Sequence, residues 1–86
     1  MSLTSVEFNS HNCQVALGRA VRLTRENKHL TQAELADRIG LKEEAVASIE
    51  DGETSVDLEL VVKLTNGLRV RLGELGHLVD QYLGRT

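Results

Sequence analysis

Between Thr31 and Gly52 the chain lays two short helix signals end to end with almost nothing between them. Thr31-Gln32-Ala33-Glu34 reads as a capping box, in which the Thr31 hydroxyl accepts the Glu34 amide and the Glu34 carboxylate returns to the Thr31 amide. Leu35, Ala36 and Ile39 then recur on one helical face, and Gly40 supplies a left-handed stop. After Leu41 and Lys42 a second helix is predicted over residues 43–51, with Ala45, Val46 and Ile49 inward and Gly52 as its stop. Lys42 is a poor N-cap, so this helix begins without the usual side-chain support. A Gly-Leu-Lys connector is too short for the second helix to run back along the first. The pair must cross sharply, which is the geometry of a helix-turn-helix at about 31–52.

The flanking segments are helical as well. Residues 12–27 carry one stripe of Leu17, Ala20, Val21 and Thr24. A fourth helix, capped by Ser55 or Asp57, has the stripe Leu58, Val61, Leu64 and Leu68, with Gly67 marking its end. A fifth, over about 71–83, carries Leu72, Leu75, Leu78, Val79 and Tyr82, although Gly73 and Gly76 inside it each cost about 1 kcal/mol relative to Ala. Residues 1–11 lack helical period and read as a flexible or extended arm ahead of a single domain over 12–86. With 86 residues there is one core, and with no Pro, no Trp, one Phe and one Tyr a β-sandwich is disfavoured. The expected class is all-α, a compact domain of four to five helices.

Several function classes drop out. The lone Cys13 cannot form an internal disulfide or a Cys-based zinc cluster, and His11, His29 and His77 are spaced without metal-ligand periodicity. No Ser/His/Asp arrangement, glycine-rich phosphate loop or HExxH motif is present. We therefore expect no enzyme, no cofactor and no metal. No apolar run approaches the ~20 residues of a membrane span, and the N-terminus has neither the basic nor the apolar region of a signal peptide, so the expectation is a cytoplasmic protein with no membrane partner.

The net charge of −3 is a poor guide to partners, because its distribution is uneven. Residues 43–59 hold seven acids and no base, whereas the segments on either side each carry a net +2. The surface is polarised, and the sum conceals it.

The run Leu17-Gly18-Arg19-Ala20-Val21-Arg22-Leu23-Thr24-Arg25, then Leu30-Thr31-Gln32-Ala33-Glu34-Leu35-Ala36, Ile39-Gly40-Leu41 and Val46-Ala47-Ser48-Ile49-Glu50-Asp51-Gly52, resembles the lambda-repressor-like (XRE/Cro-type) helix-turn-helix family. The similarity continues through residues 58–75. It implies a four- or five-helix domain whose third helix lies in the DNA major groove. By the same resemblance Gln32 bonds a phosphate, which suits a helix N-terminus. Glu43, Glu44 and Ser48 match positions that face base edges, Lys42 a position near backbone or bases, and Arg25 and Glu50 a structural ion pair between the first and third helices. Arg22 and Lys28, with Arg19, are candidate phosphate contacts or plain solvated surface. The chain departs from the family in placing two carboxylates at reading positions. Adjacent acids are repelled by a polyanion unless each accepts a base donor such as cytosine N4, or else they serve only the dipole of their own helix. Val56 stands where Pro is common, and Thr65 and Gly67 replace small helix formers.

The expected function is a sequence-specific DNA-binding transcriptional regulator, a repressor or autoregulator, acting as a homodimer on a palindromic operator. Leu75, Leu78, Val79 and Tyr82 are the expected dimer surface, or else the completion of the core. The alternative is an antitoxin-like or accessory protein-interaction module whose acidic 43–59 surface binds a partner protein.

Overall fold

The stripe of Leu17, Ala20, Val21 and Thr24 lies on one face of the first helix, α1 (His11–Asn27), and all four residues are buried. Four helices follow in the computed structural model, which describes residues 11–84: α2 (Gln32–Ile39), α3 (Glu43–Glu50), α4 (Leu58–Leu68) and α5 (Leu72–Leu83). No strand occurs among the described residues, so the all-α expectation stands. Of the expected N-terminal arm only His11 is described, and it opens α1.

One core joins the five helices. Val21 of α1, Leu35 of α2, Val46 of α3, Leu64 and Leu68 of α4 and Leu75 of α5 are the largest fully buried side chains. Each contributes about 1.5–3 kcal/mol by leaving water. α1 packs against α3, α4 and α5, while α2 packs against α3 and α4. The α2–α3 pair is thus clamped between two longer helices rather than standing alone.

Gly67 does not end α4. The helix runs on to Leu68 and stops at Arg69, which takes the left-handed backbone with φ 60°. Gly67 is instead a point of close approach: a Cβ there would lie 2.6 Å from Ile39 Cγ2 and 3.0 Å from Leu35 Cδ1. The glycine lets α2 settle onto α4. Asp57, not Ser55, caps α4 by accepting the Leu60 amide at 2.9 Å. Leu58 sits in the first turn of α4 and is 62% exposed, so it leaves the apolar stripe assigned to that helix. At α5, Arg71 is the N-cap, and the Glu74 carboxylate accepts its amide at 2.8 Å.

Candidate nucleic-acid interface

The two short helices are set by their caps. Thr31 Oγ1 accepts the Glu34 amide at 3.0 Å, and Glu34 Oε1 accepts the Thr31 amide at 2.8 Å. The hydrogen bonds from Thr31 hold the Glu34 carboxyl below its usual range, with a smaller contribution from the charge of Arg38. Gly40, at φ 73°, turns the chain, and the Leu41 amide donates back to the Ala36 carbonyl at 2.9 Å. Lys42 then enters α3 with extended backbone and no side-chain cap. Glu43 and Glu44 occupy the exposed first turn of α3, where a helix N-terminus favours acids by about 0.3–1 kcal/mol each.

The far end of α3 is pinned to α1 in two ways. A Cβ on Gly18 would collide with the carbonyl oxygens of Ile49 and Glu50, so only glycine lets the two backbones approach this closely. Seven residues along α1, Arg25 meets Glu50 with two bonds, Nε to Oε2 at 2.6 Å and Nη2 to Oε1 at 3.1 Å. Its remaining arm donates to the Leu30 carbonyl at 2.7 Å, at the entry to α2. The Glu50 side chain is 1% exposed. Hydrogen bonding to Glu50 raises the Arg25 pKa above its ordinary value against the opposing effect of burial. One arginine therefore fixes three elements.

Gln32, the first residue of α2, is half-buried, and its amide nitrogen donates to Glu50 Oε1 at 2.9 Å. The side chain assigned to a phosphate is thus held from inside. Lys42, Glu43 and Glu44 are exposed together at the start of α3, and Ser48 is half-buried one and a half turns later. Arg19 and Arg22 are exposed on α1, with Arg22 paired to Glu26 at 3.3 Å, and Lys28 reaches the Arg69 carbonyl at 3.4 Å. Arg38 escaped the reading of the sequence: it donates to the Gly67 carbonyl at 2.9 Å and so neutralises the C-terminus of α4 together with Lys28. No local signal gives these roles to Arg38 or Gly18, since both depend on helices distant in sequence.

Leu75 cannot offer surface to a second chain. It is 1% exposed at the centre of the core. Leu78 and Val79 are half-buried and pack on that core, which leaves Tyr82, 41% exposed, as the outward member of the expected stripe. Leu58 and Leu72 line an apolar groove of about 590 Å³ between α1, α4 and α5, together with Val61 and Val79. No group of three or more His, Cys, Asp or Glu among the described residues could hold a metal ion, and no described helix is long and apolar enough to cross a membrane.

A family model described as Helix-turn-helix matches residues 21–75, which spans α2, the turn, α3 and α4. The chain belongs to the lambda-repressor-like helix-turn-helix family. This is a family of DNA-binding transcription regulators and not of enzymes. The chain is similar to Multiprotein-bridging factor 1 of Candida albicans, with 34% identity over 58 residues, and the match spans 67% of this chain and 38% of that relative. Among solved structures it is similar to the clp gene regulator ClgR of Corynebacterium glutamicum, at 25% identity and a TM-score of 0.77 over 79% of this chain and 88% of that one. It is also similar to the restriction-modification controller protein C.AhdI of Aeromonas hydrophila, at 32% identity and a TM-score of 0.72 over 76% of this chain and 94% of that one.

Proposed function

We propose that this helix-turn-helix chain is a sequence-specific transcription regulator, a repressor or autoregulator, that binds a palindromic operator inside the cell as a homodimer. The observation that carries the reading is the rigid α2–turn–α3 unit, whose exposed residues Lys42, Glu43 and Glu44 all lie at the end of α3 that leads away from the Arg25–Glu50 anchor. In this reading the start of α3 enters the major groove and Glu43 and Glu44 accept from base donors such as cytosine N4, with Ser48 behind them. Gln32 and Lys42 contact the backbone, while Arg22 and Lys28 exchange their weak internal contacts for phosphates. The dimer surface is formed around Tyr82, Leu72 and Leu58 rather than by the buried Leu75. Half-site centres are then about 10 bp apart, or a multiple of it.

A partner protein on the acidic surface is the competing outcome. Of the seven acids in residues 43–59, Glu50 is buried in its ion pair and Asp57, though exposed, is engaged in capping α4, which leaves Glu43, Glu44, Asp51, Glu53 and Glu59 to face a partner. Selection of bound duplexes from a random pool at low salt, followed by titration of winners and random duplexes at two salt concentrations, separates the two. Enrichment of a palindrome, with affinity that falls as salt rises, supports the regulator. A chain that binds no duplex at low salt overturns it.

A further inference from the structure

Glu50 Oε1 accepts two hydrogen bonds, one from Arg25 Nη2 at 3.1 Å and one from Gln32 Nε2 at 2.9 Å. An ionised carboxylate can only accept, so Gln32 must turn its nitrogen and not its oxygen toward Glu50. The orientation of the amide is thereby decided by a residue 18 positions away on another helix. Its nitrogen carries a second hydrogen, which the bond to Glu50 leaves available. That hydrogen sits at the first turn of α2, where free amides already favour an anion. A freely rotating glutamine would present oxygen or nitrogen to a phosphate about equally, and the oxygen would be repelled.

We infer that Glu50 is a positioning residue for DNA binding: it fixes Gln32 so that a single amide nitrogen bridges the buried carboxylate and a DNA phosphate. The inference rests on the proposed DNA-binding function and deepens it. Under it the Arg25–Glu50 pair does more than tie α1 to α3. It sets the direction of a donor on the surface of α2, so the scaffold and the phosphate clamp share one oxygen atom.

The test compares Gln32→Ala, Glu50→Gln, their combination and Arg25→Lys in the full chain. Glu50→Gln removes the acceptor-only group that fixes Gln32. Arg25→Lys weakens the tie between α1 and α3 but keeps the Glu50 carboxylate, and so controls for loss of stability. All variants are assayed below their unfolding midpoints against the selected duplex, with the parent alongside. Gln32→Ala and Glu50→Gln are each expected to weaken DNA binding by about tenfold per subunit, the scale of one hydrogen bond to a charged group. The combination is expected to weaken it no more than either alone. Because Gln32 carries no charge, Gln32→Ala leaves the slope of log affinity against log salt unchanged, whereas Arg25→Lys leaves the affinity itself unchanged. In the DNA-free parent, one Gln32 side-chain amide proton should exchange slowly by NMR and lose that protection in Glu50→Gln. A parent that binds DNA, with additive losses or with an affinity untouched by Glu50→Gln, overturns this inference alone. A parent that binds no DNA overturns the proposed function and this inference with it.

Discussion

Arg25 of α1 and Glu50 of α3 face each other as a parallel pair of charged hydrogen bonds, 2.6 and 3.1 Å long, almost wholly out of water. Removing the arginine leaves a buried carboxylate with only Gln32 to satisfy it. Arg25→Ala is therefore expected to lower stability by about 3–5 kcal/mol. Arg19→Ala, on the exposed side of the same helix, should change it by about 0.5 kcal/mol or less. Urea unfolding of both variants checks this, and equal midpoints would remove Arg25 from the role.

Two glycines in helices should respond to alanine with opposite signs. At Gly18 the new methyl meets the Ile49 and Glu50 carbonyls, so α1 and α3 must separate at a cost of about 1–3 kcal/mol. At Gly76 nothing lies within 4 Å, and alanine should stabilise α5 by about 1 kcal/mol through helix propensity alone. Thermal unfolding of Gly18→Ala and Gly76→Ala tests both. Destabilisation by each would mean that the outer face of α5 is already covered.

The capping box should be visible in the acid limb of stability. Glu34 titrates below its usual range when folded, because the ionised form receives the Thr31 amide. A depressed folded pKa means stability that is complete above the unfolded carboxylate pKa, about 4.3, and is lost as pH falls through the lower folded value. The parent's advantage over Glu34→Gln should accordingly be full at neutral pH and fade on acidification through that window. An advantage that stays constant down to the lowest pH would remove the carboxylate from the cap.

Glu43 and Glu44 separate attraction from reading. Replacing either with Gln keeps its shape and deletes one negative charge, so affinity for every duplex should rise. Discrimination at one base pair should shift by about 1–3 kcal/mol, because an amide can pair with adenine where a carboxylate accepted from cytosine. Competition between the selected duplex and single-base variants measures this. A uniform rise without any change in preference would assign the two acids to the helix dipole only.

Much of the fold was legible because it is written locally. The Thr31–Glu34 box, Gly40 and the stripe of α1 each depend on residues within a turn or two, and the structure has them where spacing puts them. Gly67 has the local look of a stop, because it is a glycine near a helix end. Its actual reason, the side chains of Ile39 and Leu35, lies on another helix. Leu75 takes the second of the two readings open to it, completion of the core: periodicity gives the apolar face of α5 but not what covers each residue on it, and Leu75 is 1% exposed on the helix that packs against α1 and α4. The bond from Gln32 to Glu50 had no local signal at all, since it joins the ends of α2 and α3 that the turn does not connect.

The way α3 is held has a consequence for how such a protein can change. Its attachments are all at the back and at one end: Val46 and Ile49 in the core, the carbonyls against Gly18, and Glu50 with Arg25. Glu43 and Glu44, at the front, support no other side chain by any of these attachments. Substitutions there cost the scaffold no more than the helix-dipole contribution of about 0.3–1 kcal/mol each while altering what α3 offers to its surroundings. A lineage of such chains can exchange targets by single steps without passing through an unfolded intermediate, whereas any change at residue 18, 25 or 50 must be answered elsewhere.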